Sequence, residues 1–240
     1  QIFENGICLP SDTKMTDEDL ERVVETIKGL WWKLRRLNLY IKHILDFLGS
    51  LIGLIIVLPF FILIAIAIKF TSEGPVFYRQ ERLGKNGKVF KIFKFRTMVV
   101  NADKMGSGII VNSEEDSRIT KVGKFLRATS LDELPQLINV LIGDMSLVGP
   151  RPPVPYHPYK YEDYSDFQRK RFEMKPGMTG LAQVTVRNSV PWDQRILIDV
   201  EYVEKFNLWM DIKILFKTFI KIFKKESIYL ELKKSREKIH

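Results

Sequence analysis

The sequence has few of the side chains that form disulfides or zinc sites. Its 240 residues contain one cysteine, Cys8, so an intrachain disulfide is impossible and nothing requires an oxidising compartment. The three histidines, His43, His157 and His240, are far apart along the chain, which argues against a zinc site built from histidine and cysteine. A cleavable signal peptide is not expected either, because residues 1–30 are polar and acidic and lack an early apolar core.

Positive charge is in excess. The 38 lysines and arginines outnumber 29 acidic residues and give a formal net charge of +9. This balance suits an anionic partner, and nucleic acid, anionic lipid headgroups and phosphorylated substrates all qualify on charge alone. The length is sufficient for one domain of ordinary size and an appendage.

Residues 47–68 form a long, uncharged and almost wholly aliphatic run. At about 1.5 Å per residue, some 20 helical residues are enough to cross a bilayer. Pro59 lies at the middle of the run, where it removes a helix hydrogen bond and bends the chain. Basic residues flank both ends, so the positive-inside bias places both ends on the cytosolic side. A re-entrant helix hairpin fits this pattern, while a spanning helix and a buried soluble helix remain alternatives.

Further elements are predicted on both sides of the apolar run. Thr16 is a plausible N-cap for an amphipathic helix over 16–28. An Asn-Gly turn at 84–87 joins two predicted strands, 76–80 and 89–95. The remaining predictions are a polar loop over 101–118, a helix over 131–141, loops over 144–195, and helices over 195–206 and 211–225.

The predicted last helix is amphipathic. Apolar and aromatic residues line one face, and a basic face lies opposite, formed by Lys213, Lys217, Lys221 and Lys224. A helix lying in the membrane interface needs this arrangement. A surface helix packed on the domain core is the alternative interpretation.

Three clusters carry candidate chemistry. Asp132 and Glu133 precede an apolar helix, where an acidic pair alone would usually be favourable charge at a helix N-terminus. Residues 143–152 form a loop rich in glycine and proline, and residues 176–184 form another. Guanidinium forks and ammonium groups suit phosphates, although surface salt bridges would use them equally well. The candidates for phosphate binding are Lys94, Arg127, Arg151 and Arg187.

Taken in order, these clusters resemble the monotopic phosphoglycosyl transferases, the bacterial sugar transferases that load undecaprenyl phosphate. The resemblance covers about residues 42–211 and includes the segments 74–82 and 94–98. It implies an α+β fold, a small membrane-associated domain with a re-entrant membrane helix hairpin and amphipathic interfacial helices. The implied layout is a basic lead-in and re-entrant helix over 33–70, then a catalytic domain over 71–240 at the cytoplasmic face of the bacterial inner membrane.

One departure from the family concerns the bend. Leu58 precedes Pro59 where the family tends to have serine. Loss of the serine hydroxyl removes a local backbone hydrogen bond that could help to set the bend. The break angle at Pro59 is therefore less well specified by this sequence.

The resemblance also implies a two-step reaction. Asp132 would attack the β-phosphate of a UDP-sugar and expel UMP, and the polyprenyl (undecaprenyl) phosphate would then take the phosphosugar from Asp132. Mg²⁺ is the implied cofactor, with Asp132 and Glu133 as its protein ligands. The implied partners are the UDP-sugar, the carrier and membrane lipids, with no nucleic acid.

A second resemblance concerns the N-terminus. Residues 3–11 and 16–20 resemble the extreme C-terminus of PLP-dependent sugar aminotransferases, which implies that 1–32 is an appendage derived from a fusion. No aminotransferase activity is expected, because the PLP-binding lysine and its domain are absent. Fused enzymes often act on consecutive intermediates, so the predicted substrate is a UDP-linked, N-acetylated amino or diamino deoxysugar. UDP-glucose or UDP-galactose is the main alternative, and an unrelated N-terminal helix is the alternative to the fusion.

Two other functions stay open. A membrane-anchored basic protein that only binds would need neither Asp132 nor a metal. A one-step transferase would use its carboxylates only for metal binding and proton transfer. Release of UMP separates the binding protein from both enzymes.

Overall fold

The computed structural model describes residues 16–105, 116–186 and 189–223. Within them the chain is mixed helix and strand, in agreement with the predicted α+β class. The elements are α1 Asp17–Thr71, β1 Phe77–Leu83, β2 Val89–Phe95, α2 Lys121–Ala128, α3 Gln136–Leu141, β3 Ser146–Val148, α4 Asp166–Arg169, β4 Gly177–Thr179, α5 Leu181–Thr185, α6 Trp192–Glu204 and α7 Leu208–Phe223. Among the described residues, those up to Ile41 belong to one compact unit and those from Lys42 onward to another. The predicted boundaries at residues 32 and 70 stay predictions.

Helix α1 begins at a capping box. Thr16 Oγ1 accepts a hydrogen bond from the backbone N–H of Asp19 (3.2 Å), and the Asp19 carboxylate accepts one from the backbone N–H of Thr16 (3.2 Å). The predicted helix over 16–28 is confirmed, and it continues to Thr71. By length and composition α1 could cross a membrane, and little of its most apolar part is buried.

A narrow stripe along α1 packs against the globular part of the second unit. Asp46 Oδ1 accepts a hydrogen bond from the backbone N–H of Leu147 (3.0 Å), and Phe61 meets Phe95 edge to face, with ring centroids 4.9 Å apart. Spacings of three and four residues keep the stripe on one face of the helix. Its buried or half-buried members are Lys42, Asp46, Ser50, Gly53, Val57, Phe61, Ile64 and Ile68. Both ends of the apolar run therefore contact the same globular unit.

The break predicted at Pro59 is not confirmed. Pro59 lies inside α1 and is exposed, away from the stripe. A proline removes one backbone hydrogen bond from a helix, and packed residues on both sides of Pro59 keep the helix on the domain. The predicted division into two half-helices is therefore not seen, and the re-entrant hairpin is not confirmed.

Strands β1 and β2 form the predicted antiparallel hairpin. Asn86 (φ 55°) and Gly87 (φ 75°) take left-handed conformations in the turn, which these two residue types tolerate best. The register pairs Tyr78 with Lys94. Directly opposed residues point to the same face of a sheet, so Lys94 shares its face with alternate residues of β1.

The region from 131 to 195 is more structured than its sequence predicts. A 3₁₀ turn occupies 131–133, so the predicted helix over 131–141 begins only at Gln136. The predicted loops over 144–195 contain a parallel strand pair, β3 and β4, and the short helices α4 and α5. Elements of three to five residues are too short to show a readable hydrophobic period, which explains the error.

Helices α6 and α7 complete the domain. Ile196 and Val200 of α6 are fully buried and pack with Phe172 in one of the apolar clusters of the core. Helix α7 buries Asp211 and Ile214 against the domain. Its opposite side leaves four large apolar residues largely exposed, Trp209, Ile212, Phe216 and Phe219. One face of α7 thus packs on the core while another presents aromatic side chains to the surroundings.

Candidate active site

The acidic pair lies in a tight turn between two helices. Asp132 and Glu133 occupy the 3₁₀ turn that joins α2 to α3. The preceding residue, Ser130, has a left-handed conformation (φ 57°), which redirects the chain after α2. Leu131 and Leu134, on either side of the pair, pack into an apolar cluster of the core. The flanking leucines therefore hold the two carboxyl groups at the edge of that core.

Two cations from separate elements hold Glu133. Lys94 Nζ, on β2, lies 2.7 Å from Glu133 Oε1, and Arg151 Nη2, in the loop after β3, lies 3.1 Å from the same oxygen. The side chains of Lys94, Glu133 and Arg151 are 17%, 27% and 43% exposed, so a ligand can reach them. Three predicted site residues that are distant in sequence are thus brought together.

Asn139 connects helix α3 to strand β2 by two hydrogen bonds. Its side-chain Nδ2 donates to the Lys91 carbonyl (2.8 Å), and its Oδ1 accepts from the backbone N–H of Phe93 (2.9 Å). The residue is fully buried on α3. This clamp joins the strand that carries Lys94 to the helix that follows the acidic pair.

The two carboxyl groups have different proton affinities. Burial alone would raise the pKa of Glu133, but the charges and hydrogen bonds of Lys94 and Arg151 outweigh it and hold that pKa well below its ordinary value. Burial raises the pKa of Asp132 to about 6, and the negative charge of Glu133 adds to the rise while Lys94 opposes it. At neutral pH both groups are therefore ionised, with Asp132 the more basic.

The contacts of the Asp132 carboxylate differ from those of Glu133. Within the part of the chain that the structure describes, its carboxylate accepts no hydrogen bond, in contrast to Glu133. The charge of Arg127, in the last turn of α2, lowers the pKa of Asp132, as do those of Lys94 and Arg151. The charges of Lys94, Arg127 and Arg151 therefore all favour the ionised form of Asp132.

Magnesium fits the acidic pair if a substrate supplies further oxygens. Mg²⁺ is usually held by one or two carboxylates together with substrate phosphates and water. Asp132 and Glu133 provide two adjacent carboxylates of this kind. Among the described residues, no group of three or more histidine, cysteine, aspartate or glutamate side chains could hold a metal alone. The side chains present therefore suit a metal shared with phosphates better than a separate protein cage.

A family profile described as bacterial sugar transferase matches residues 37–225 of the chain. The match includes the hairpin, the acidic pair, the Arg151 loop and most of α1. The chain belongs to the bacterial sugar transferase family.

Curated relatives of this sugar transferase have consistent names. The UDP-glucose:undecaprenyl-phosphate glucose-1-phosphate transferase of Klebsiella pneumoniae is 43% identical over 203 residues, which are 82% of this chain and 43% of the relative. The undecaprenyl-phosphate galactose phosphotransferase of Salmonella typhimurium is 42% identical over 209 residues, 81% of this chain and 43% of the relative. A glucose-1-phosphate transferase of Caulobacter vibrioides, likewise named for UDP-glucose and undecaprenyl phosphate, is 40% identical over 193 residues, 78% of this chain and 72% of the relative. The chain spans less than half the length of the first two.

Sequence reasoning did not single out one arginine of the transferase site. Burial, helped by the positive charge of Arg151 and opposed by the negative charge of Glu133, lowers the pKa of Arg82 to about 10. Arg82 therefore lies close to the phosphate-binding candidates. The alternation of side chains along a strand could have predicted this position of Arg82. Tyr78 lies opposite Lys94, and Arg82, four residues further along β1, points to the same face.

Two predictions lie outside the described part of the sugar transferase. Arg187 is not among the described residues, so its predicted phosphate contact is not placed. The aminotransferase-like segment 3–11 is also outside them, and it precedes the family match. Both stay predictions.

Proposed function

We propose that the chain transfers a sugar-1-phosphate from a UDP-sugar to undecaprenyl phosphate and releases UMP. The observation that carries the proposal is the difference between the two carboxylates of the acidic pair. Glu133 is held by Lys94 and Arg151, whereas Asp132 has a raised pKa and its carboxylate accepts no hydrogen bond among the described residues. An ionised carboxylate whose oxygens accept no hydrogen bond has its lone pairs free for covalent attack. The names of the curated relatives agree with the reaction.

In the first step, a carboxylate oxygen of Asp132 attacks the β-phosphorus of the UDP-sugar. A new phosphorus–oxygen bond forms, the bond from that phosphorus to the bridging oxygen breaks, and UMP leaves with the bonding electrons. The sugar phosphate is then an acyl phosphate on Asp132. Burial favours this step because it makes the carboxylate more basic, and hence more nucleophilic, than an exposed aspartate.

The second step regenerates Asp132. A phosphate oxygen of undecaprenyl phosphate attacks the same phosphorus, and the Asp132 carboxylate leaves. Lys94, Arg127 and Arg151 offset the negative charge that accumulates when two anions meet. Bound Mg²⁺, held by Asp132, Glu133 and the substrate phosphates, would neutralise the diphosphate.

The packing of α1 supports attachment to one side of a membrane. The stripe from Lys42 to Ile68 contacts one globular unit at both ends of the apolar run. A helix that crossed the bilayer would require that unit to contact it at both surfaces. The exposed apolar side chains of α1 and α7 suit burial in lipid, with basic residues nearby for anionic headgroups. We place this surface on the cytoplasmic face of the inner membrane because basic residues flank both ends of the run.

The curated relatives and the N-terminal resemblance point to different sugars. The relatives' names give glucose and galactose, while the N-terminal resemblance predicts an N-acetylated amino or diamino deoxysugar. A pocket that hydrogen-bonds an acetamido group would reject a plain hydroxyl sugar, because its polar groups would be left unpaired. Turnover of UDP-glucose or UDP-galactose at or above that of every acetamido sugar would exclude the amino-sugar prediction.

The central test is to trap the intermediate. Enzyme in detergent is mixed with a panel of radiolabelled UDP-sugars and Mg²⁺ in the absence of carrier, and denatured protein is examined for label. We expect label on the wild type, its release on addition of undecaprenyl phosphate, and none on Asp132→Asn. Asp163→Asn is the matched control, since Asp163 is exposed on the surface, and it should label normally. Substantial turnover by Asp132→Asn, or full activity in excess EDTA, would contradict the proposed chemistry.

A further inference from the structure

The loop that carries Arg151 has few backbone donors of its own. Pro150, Pro152 and Pro153 have no N–H group, so they cannot donate to a strand ladder or to carbonyl groups within the loop. Its carbonyl groups must find donors elsewhere. We propose that Arg171, held by Asp199, positions Arg151 against the acidic pair, an inference that rests on the proposed transferase function.

Arg171 links the loop to α6. Its Nη2 donates to Asp199 Oδ2 at 2.6 Å and to the backbone carbonyl of Arg151 at 3.0 Å. The Arg171 side chain is 1% exposed and that of Asp199 is 4% exposed, so neither can meet a substrate. Both act through the backbone of Arg151, whose side chain reaches Glu133.

The next two carbonyls are held from the opposite side by β1. Arg82 Nη1 donates to the Pro152 carbonyl (3.0 Å), and the backbone N–H of Leu83 donates to the Pro153 carbonyl (2.9 Å). Three consecutive carbonyls, of residues 151 to 153, thus accept from three donors on two separate parts of the fold. The loop is fixed between α6 and the hairpin that carries Lys94.

A purely stabilising role does not explain a buried Arg171–Asp199 pair. Removing two charges from water is unfavourable, and well-packed apolar side chains are often as stabilising as a buried ion pair. Burial raises the pKa of Asp199 to about 6 in spite of the opposing charge of Arg171, which reflects the unfavourable desolvation. What an apolar pair could not supply is a donor to the Arg151 carbonyl. The need for that donor accounts for an arginine at this position.

Displacement of Arg151 should affect the reaction strongly. A misplacement of about 1 Å in a positioning group can lower a rate by about 100-fold. Arg171→Lys keeps the positive charge beside Asp199 but replaces the guanidinium, whose Nη2 reaches both Asp199 and the Arg151 carbonyl, by a shorter side chain. We therefore expect kcat/KM for UMP release to fall about 10- to 100-fold in Arg171→Lys.

The decisive experiment is a double-mutant cycle with Arg151→Gln. If Arg171 acts through Arg151, Arg171→Lys will lower kcat/KM in the wild type but by less than about twofold when Arg151 is already glutamine. Thermal unfolding is measured for all four proteins, because a loss of stability should appear in both backgrounds. Should Arg171→Lys fail to fold, Asp199→Asn, which keeps an acceptor for Arg171, takes its place in the cycle.

A surface ion pair between the same elements provides the control. Lys170 Nζ lies 2.7 Å from Glu204 on α6, and both side chains are substantially exposed. Glu204→Gln should leave kcat/KM unchanged in both backgrounds. Losses of equal factor for Arg171→Lys in both backgrounds would overturn the positioning role. A wild-type protein that releases no UMP from any UDP-sugar would overturn the proposed function, and the positioning role with it.

Discussion

Replacing Asn139 by leucine tests how the site is held together. Leucine has the same branched shape and the same number of side-chain heavy atoms, so the core around α3 should not gain a cavity. The change removes both hydrogen bonds that join α3 to β2, leaving the Phe93 N–H and the Lys91 carbonyl without partners. The perturbation thus isolates the clamp between the acidic pair and the strand of Lys94.

The expected loss of stability follows from the two orphaned backbone groups. Each buried, unsatisfied group costs about 1–3 kcal/mol, so Asn139→Leu should lower the free energy of unfolding by about 2–6 kcal/mol. Domains commonly have about 5–15 kcal/mol in total, so the variant should fold but melt well below the wild type. Lys94 and Glu133 should also lose their fixed separation. The factor by which kcat/KM falls should therefore exceed the factor by which the Kd for the UDP-sugar rises.

Asn207 supplies a control of the same residue type. Its Oδ1 accepts from the backbone N–H of Met210 (2.9 Å) at the exposed start of α7, and loss of such a cap costs about 0.5–2 kcal/mol. Unfolding of Asn139→Leu and Asn207→Ala is compared in detergent by circular dichroism, together with UMP release. Equal losses of stability in the two variants, or an unchanged kcat/KM in Asn139→Leu, would refute the role assigned to the clamp.

Three further outcomes are expected. Phosphosugar transfer onto the enzyme should slow about tenfold between pH 7 and pH 5, because Asp132, with its pKa raised to about 6, must be ionised to attack. Single-turnover kinetics measure this rate, and a rate that does not change with pH would contradict the assignment. Gly123→Ala would place a Cβ 2.0 Å from the backbone carbonyl oxygen of Thr97 and should lower the free energy of unfolding by more than about 2 kcal/mol. Gly29→Ala is the control, because Gly29 has open space around it, and thermal melts of the two variants make the comparison. Lys42→Met removes the cation that pairs with the buried Asp211 carboxylate, which keeps its hydrogen bond from Tyr202, and should cost about 3–5 kcal/mol. Adding Asp211→Asn should recover part of that loss, and fully additive losses would argue against the pairing.

The topology of α1 needs a separate test on intact cells. Cys8 is replaced by serine, and single cysteines are introduced at the exposed positions Arg36 and Glu73, which flank the apolar run. If both ends are cytosolic, an impermeant thiol reagent should label neither site until the cells are opened. Labelling of either site from outside would indicate a spanning helix.

Several features of this protein could be predicted from local sequence. The capped start of α1 follows from Thr16 and Asp19, and the hairpin follows from the turn at Asn86 and Gly87. Both depend on contacts between neighbours, which the order of residues specifies directly. The ordered motifs around Asp132 likewise predicted the family, because their residue types and spacing are read without knowing the fold.

The break at Pro59 shows where local sequence is insufficient. Proline removes a single hydrogen bond, and whether the helix then divides depends on what its neighbours contact. Here Phe61 and Ile68, beyond the proline, pack on the same unit as Asp46, before it. That α1 stays one helix across Pro59 therefore depends on packing between segments distant in sequence, which local sequence does not show.

The sequence by itself determined the capped start of α1, the turn of the hairpin, the long apolar run and the position of the acidic pair. Tertiary structure decided how the two carboxyl groups differ, because the low pKa of Glu133 and the raised pKa of Asp132 depend on burial and on cations 39 and 18 residues away from Glu133. It also decided that Arg82 and Arg171 hold the Arg151 loop, since hydrogen bonds to that loop come from strands and helices far along the chain. Electrostatic interaction and hydrogen bonding depend on distance in space, and folding alone sets that distance.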